Sequence, residues 1–152
     1  MTETKLFKAR PTLPLAAAAE HGIDPLSVAV LDAGGHMVAF KRQDGAGILR
    51  PQIAFGKAWG ALGMGASGRK LRERLAERPQ FVAALTDASE GRFVPVPGGV
   101  LALDADGYVV GAVGISGDAS EKDEFCAIQG IRAAGLISEP AKPDPDWADA
   151  KL

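Results

Sequence analysis

The chain has 152 residues, of which 47% are apolar and 24% charged, with a net charge of -2. That length allows one domain with a sizeable core, and the near-balance of charge removes the electrostatic motive for nucleic acid or an anionic membrane as partner. Cys126 is the only cysteine, which excludes an internal disulfide, a cysteine-based zinc cluster and a redox pair, and fits a reducing compartment.

Met1 to Arg10 sets Glu3, Lys5, Lys8 and Arg10 around Leu6 and Phe7, without the apolar run a secretion signal needs. Export is not expected, and a cytoplasmic setting is. Thr12 to His21 (TLPLAAAAEH) reads as a short helix, with Thr12 as cap, Pro14 in the first turn and Gly22 as stop. Leu26 to Asp32 (LSVAVLD) and His36 to Arg42 (HMVAFKR) are strand-like runs joined by Ala33, Gly34 and Gly35, a β-hairpin. Pro51 to Gly63 (PQIAFGKAWGALG) starts with a proline suited to a first helical position and repeats small and apolar residues at helical spacing. Gly56 and Gly60 weaken that helix by about 1 kcal/mol each, so close packing against another element is expected there. Ser67 caps a charged helix from Gly68 to Glu77 that Pro79 ends.

Strand patterning returns at Phe93 to Pro97 (FVPVP), where the prolines confine it to a sheet edge or an irregular strand. It continues in VLALD after Gly98 and Gly99, and in YVVGAVGI after the turn at Ala105, Asp106 and Gly107. Ser120 and Asp123 have the spacing of a capping box and open a helix from Glu121 to about Ala134, closed by Gly135. Residues 138–152, with three prolines and four acids besides Trp147, form an arm or lid over a domain spanning 1–137. Residues 28–38 and 100–110 echo one another, sharing Val, Leu, Asp, Ala, Gly and a final Val at matched positions. Common turn chemistry and a duplicated unit both account for this. Helices too few to cover every crossover predict an α+β fold, an antiparallel sheet with helices packed on it.

Candidate chemistry falls on few residues. His21 and His36, the only histidines, either face solvent or serve as metal ligands. Pro97, Gly98 and Gly99 before one strand, and Ser116, Gly117 and Asp118 before the last helix, either make tight turns or let backbone approach a ligand, with helix N–H groups offered to a carboxylate. Lys57, in an otherwise small and apolar helix, needs an acidic ligand or an aspartate partner unless its stem carries the charge to water. Arg42 is a second cation for such a ligand. Arg69, Lys70, Arg72, Arg74 and Arg78, interleaved with Glu73 and Glu77, read as a solvated helix face. Cys126 is either a small core residue or a thiol whose pKa a helix start lowers.

Taken together, GGHMVAFKRQDGA (34–46), IAFGKAWGAL (53–62), Ser67, PVPGGVLALDADGYVVGAVGISGD (95–118) and KDEFCAIQGIRAAGL (122–136) resemble the GlcG/HbpS family of haem-binding-type domains, which also forms the C-terminal part of PduO-type proteins. The similarity runs from about Pro11 to Ile137, with Arg50 and Pro51 standing where the family favours a serine-like helix cap. It implies an α/β/α layered, profilin-like or GlcG-like domain around a five-stranded antiparallel sheet, self-association into dimers or larger assemblies, and haem as the cofactor of some members.

Three functions follow as expectations. The first is a cytoplasmic haem-, tetrapyrrole- or small-molecule-binding homo-oligomer, with His36 or His21 on iron and Lys57 or Arg42 toward propionates. The second is an enzyme or accessory of carboxylate or diol catabolism, its substrate held by the two glycine loops, with Lys57, Asp123 or Cys126 in acid–base roles. The third is an oligomeric scaffold without catalysis.

Overall fold

The computed structural model describes residues 11–152. Met1 to Arg10, read above as lacking a secretion signal, lie outside the described residues. In chain order the elements are α1 (Thr12–Glu20), β1 (Ser27–Asp32), β2 (Met37–Arg42), α2 (Arg50–Met64), α3 (Gly68–Leu75), α4 (Pro79–Ala88), β3 (Gly99–Leu103), β4 (Val109–Ser116), α5 (Ser120–Ala133) and β5 (Ile137–Glu139). The strands form one antiparallel sheet in the order β2-β1-β4-β3-β5.

Alternation along the strands builds the layers, because successive side chains of a strand point to opposite faces. Val28, Val30, Val100, Val113 and Ile115 meet Cys126, Ile128 and Ile131 of α5 and Leu15 of α1 on one face. Leu31, Leu101 and Ala112 meet Ala58 and Ala61 of α2 on the other. The result is the expected α/β/α arrangement around a five-stranded antiparallel sheet. Among the described residues no helix is long and apolar enough to cross a membrane.

The glycines of α2 and of the sheet explain how tightly these layers fit. A Cβ on Gly114 would lie 1.9 Å from the Ala54 carbonyl oxygen, and one on Gly56 would lie 2.5 Å from that of Arg92. Gly60 is pressed by the Phe93 ring in the same way. The segment from Phe93 therefore crosses α2 as irregular chain, not as the strand its valines suggest; its prolines deny it the regular ladder.

Further expectations are corrected. Pro79 does not merely end a helix; it occupies the first turn of α4, where its missing N–H is harmless. Ser67 precedes α3 without making a side-chain cap, and its hydroxyl is buried without a partner. Neither Thr12 nor Ser120 caps: α1 follows Pro11, α5 follows Ala119, and neither has a side-chain cap bond. Asp123 does not close a capping box because its carboxylate is committed elsewhere. The sheet also runs past residue 137 into the segment read as an arm, since Ser138 and Glu139 pair with β3. Beyond it, Arg132 and Arg69 donate to the carbonyls of Ala141 and Lys142, and Trp147 stacks on Phe125 at 3.7 Å.

The two echoing segments make the same turn. Asp32 Oδ1 accepts the N–H of Gly34 and His36, as Asp104 Oδ1 accepts those of Asp106 and Tyr108. Gly35 and Gly107 have φ of 81° and 85°, and each hairpin has its register shift at the same place, Val30/Leu31 and Ala102/Leu103.

Replacing Gly114 by alanine forces a methyl into the α2 backbone and is expected to destabilise the fold by about 3 kcal/mol. Gly107→Ala, whose only penalty is the left-handed backbone, should cost about 1–2 kcal/mol. Urea midpoints at unchanged m would read both.

Candidate functional site

Lys57 projects from the small-residue stretch of α2 into the layer between helix and sheet, where it is 2% exposed. Its Nζ donates to Asp123 Oδ2 of α5 at 2.8 Å, and Asp123 is fully buried. The glycine loops are shaped around this pair. A Cβ on Gly98 would lie 2.9 Å from Lys57 Nζ and 3.0 Å from Asp123 Cβ, and one on Gly99 would collide with the Lys57 carbonyl. The Ile115 N–H donates to the Gly98 carbonyl at 2.9 Å, so the loops do converge, and the ion pair occupies the space between them. Burial lowers the Lys57 pKa and raises that of Asp123, each opposed by the partner's charge.

The neighbouring groups hold this centre in place. The Asp118 N–H donates to Asp123 Oδ1, while the Asp118 carboxylate accepts the N–H of Asp24 at 3.0 Å and of Ala119 at 2.7 Å. Burial works against its ionisation, but these amides and Lys122 prevail and keep its pKa below the usual carboxylate range. Ser116 Oγ accepts from Arg50 Nη1 at 3.3 Å. Gly117 is packed against the Pro25 carbonyl, and Pro97 is buried beside Gly98.

Lys57, Pro97, Gly98, Gly99, Ser116, Gly117, Asp118 and Asp123 are thus gathered into one region, with Arg42 at its margin two strands from Ser116 and Cys126, His21 and His36 elsewhere. Arg42 is exposed on the edge strand β2. Cys126 lies in the apolar core beneath the opposite face of the sheet, where burial pushes its thiol up to about 12; a reactive thiolate is corrected to a core residue. His21 packs edge-on against Phe125 and Trp147, with ring centroids 5.0 and 5.3 Å away. His36 is exposed at the first hairpin turn, with Nδ1 3.3 Å from Asp32 Oδ1.

Three groups of interest escaped the sequence reading. Arg50 registers there only as an unusual residue at a helix start. Trp59 separates two shallow clefts: one of about 150 Å³ is lined by Ala33, Gly34, Gly35 and Leu62, the other of about 160 Å³ by Gly60, Met64, Leu85 and Phe93. Glu124 gave no signal among the polar residues opening α5. It is fully buried, both of its oxygens lack hydrogen bonds among the described residues, and Arg69 Nε stands 3.4 Å away. Burial raises its pKa to about 7 against the pull of Arg69.

Lys57→Met strands a buried carboxylate and should destabilise by about 3–5 kcal/mol, most of it restored by adding Asp123→Leu. Glu124 holds its proton more tightly folded than unfolded, so its contribution to stability is present below the ordinary pKa of 4.5 and is lost as pH rises to about 7. Urea melts at pH 5 and pH 8 should therefore differ by about 3 kcal/mol more in the parent than in Glu124→Gln.

The model of the family described as haem-degrading, HbpS-like proteins matches residues 12–132. The structure superposes on a solved PduOC:heme complex with a TM-score of 0.74 and 26% identity, covering 90% of this chain and 96% of that one. HbpS aligns with a TM-score of 0.66 and 29% identity over 89% and 87% of the two chains. A double mutant of Streptomyces reticuli HbpS aligns with 0.66 and 30% over 88% and 84%. No curated protein matches the chain.

Proposed function

The chain belongs to the HbpS-like family of haem-degrading proteins, and from that premise we propose that it binds haem or a related tetrapyrrole on the face bearing Trp59, with His36 as iron ligand. The observation that carries this reading is the orientation of His36. Asp32, whose pKa is held down first by the His36 amide, keeps an anionic oxygen against Nδ1 at 3.3 Å. A carboxylate beside one ring nitrogen favours a proton there and leaves Nε2 of this exposed ring available to a metal. His21 makes no side-chain hydrogen bond among the described residues and packs on two aromatic rings.

The surroundings support the same reading. The cleft lined by Gly34, Gly35 and Trp59 begins at the turn that carries His36, and the Arg92 guanidinium lies 4.8 Å over the Trp59 ring, a cation available to a propionate. The larger, more open hollow near the C-terminus is lined by Glu121, Asp144, Asp146 and Asp149 with Lys151 alone of opposite sign, so its net charge would repel propionates. Bound haem would supply redox-active iron; the chain would hold it and set its axial ligand. Each Trp59 cleft is well below the size that encloses a cofactor, so one chain offers an open face. Met37, Val38 and Phe40 are 49%, 37% and 40% exposed on the edge strand β2, an apolar edge of the kind usually covered. A second copy covering this hairpin, as a homo-oligomer, completes the reading.

Hemin titrated into the pure chain should give a saturable Soret band with a mass above that of the monomer. His36→Ala should abolish or shift the band, and Asp32→Asn should weaken binding about 10–100-fold. Unsaturable binding, or loss in His21→Ala with His36→Ala unaffected, would remove the proposal.

A further inference from the structure

Ser27, Ser116 and Arg42 stand in one row across the sheet. Ser27 of β1 is the direct partner of Ser116 in β4 and of Arg42 in β2. Directly opposed residues share a face, with Cβ atoms about 5 Å apart. Val28 points into the core under α5, so the Ser27 row points to the α2 side, where Arg50 at the start of α2 donates to Ser116 Oγ at 3.3 Å.

Two groups in this row and at its rim, Ser27 and Arg50, are withdrawn from water without a matching partner, and the exposed Arg42 adds a second cation beside them. Ser27 Oγ is buried and makes no hydrogen bond among the described residues. Arg50 is half-buried, and its one side-chain hydrogen bond among the described residues goes to a neutral hydroxyl. Neither Arg50 nor Arg42 has a carboxylate within 4.0 Å among the described residues. Removing a guanidinium from water without a counter-charge is unfavourable. The adjacent Lys57 and Asp123 satisfy each other and leave this excess positive charge uncompensated.

We infer that Arg42, Arg50, Ser27 and Ser116 form a second ligand site, taking a small oxyanion such as a carboxylate or phosphate. The guanidiniums supply paired donors suited to two oxygens. With Arg50 drawn off Ser116 onto the anion, both serine hydroxyls become donors behind it. The site is separate from the face assigned to haem: Arg42 and His36 lie at opposite ends of β2, about 20 Å apart at the rise of an extended strand.

The test is calorimetric titration of the full chain with sodium acetate and with sodium phosphate, each against chloride at equal ionic strength. At least one anion should saturate in the millimolar range, and the tighter of the two identifies the class. Arg50→Gln should weaken it about tenfold and Arg42→Gln severalfold. Lys41→Gln removes a charge from the same strand, but on the opposite face, and should leave binding unchanged. Binding no tighter than chloride, or equal losses in Arg42→Gln and Lys41→Gln, overturns the inference. Should Arg50→Gln fail to fold, the comparison on the exposed strand still decides. His36→Ala should retain oxyanion binding, so failure of the haem reading and failure of this one are distinguishable.

Discussion

A lysine and an aspartate sealed inside a 152-residue domain must stay within 2.8 Å of each other, and much of the architecture serves that requirement. Separated, either would be an unpaired buried charge, among the most destabilising defects a core can contain. Lys57 comes from α2 on one side of the sheet, whereas Asp123 opens α5, whose apolar stripe packs on the other side. They meet where Gly98 and Gly99, leading into β3, let backbone pass beside them at a place where a side chain would not fit. Small residues on the buried side of α2 bring that helix down to the same level.

This arrangement redistributes the chemistry of the molecule. The glycine loops, which from sequence look like walls of a pocket, are closed around an internal ion pair. Exposed polar groups lie instead at the two ends of the first hairpin: His36 at the turn, and Arg42, the register partner of Ser27, at the open end. Trp59 stands beside the former and Arg50 beside the latter, both carried by α2. A rigid, self-satisfied centre leaves such marginal side chains free to vary without disturbing the core.

The sequence was legible where local rules and packing agreed. Valine-rich alternation flanking an Asp–Gly turn located both hairpins, and the resemblance supplied the five-stranded layering. Pro79 misled because the same residue terminates one helix and initiates the next, and only the chain after it distinguishes the two. The capping box at Ser120 and Asp123 failed because a short polar side chain near a helix start can be claimed by a distant partner, as Asp123 is by Lys57. Lys57 itself was rightly seen to need an acidic companion, but the choice between ligand and protein could not be made without the fold. Arg50 and Glu124 were invisible for the same reason: their significance lies in who is absent around them, and absence is a property of three-dimensional neighbours.

The twin turns at Asp32 and Asp104 give the molecule a built-in comparison. Backbone bonds, glycine geometry and bulge position coincide, yet the residue that closes the turn is His36 in one and Tyr108, 72% exposed, in the other. The turns differ at Gly34 against Asp106 and at His36 against Tyr108, so one backbone frame presents two different surfaces to solvent.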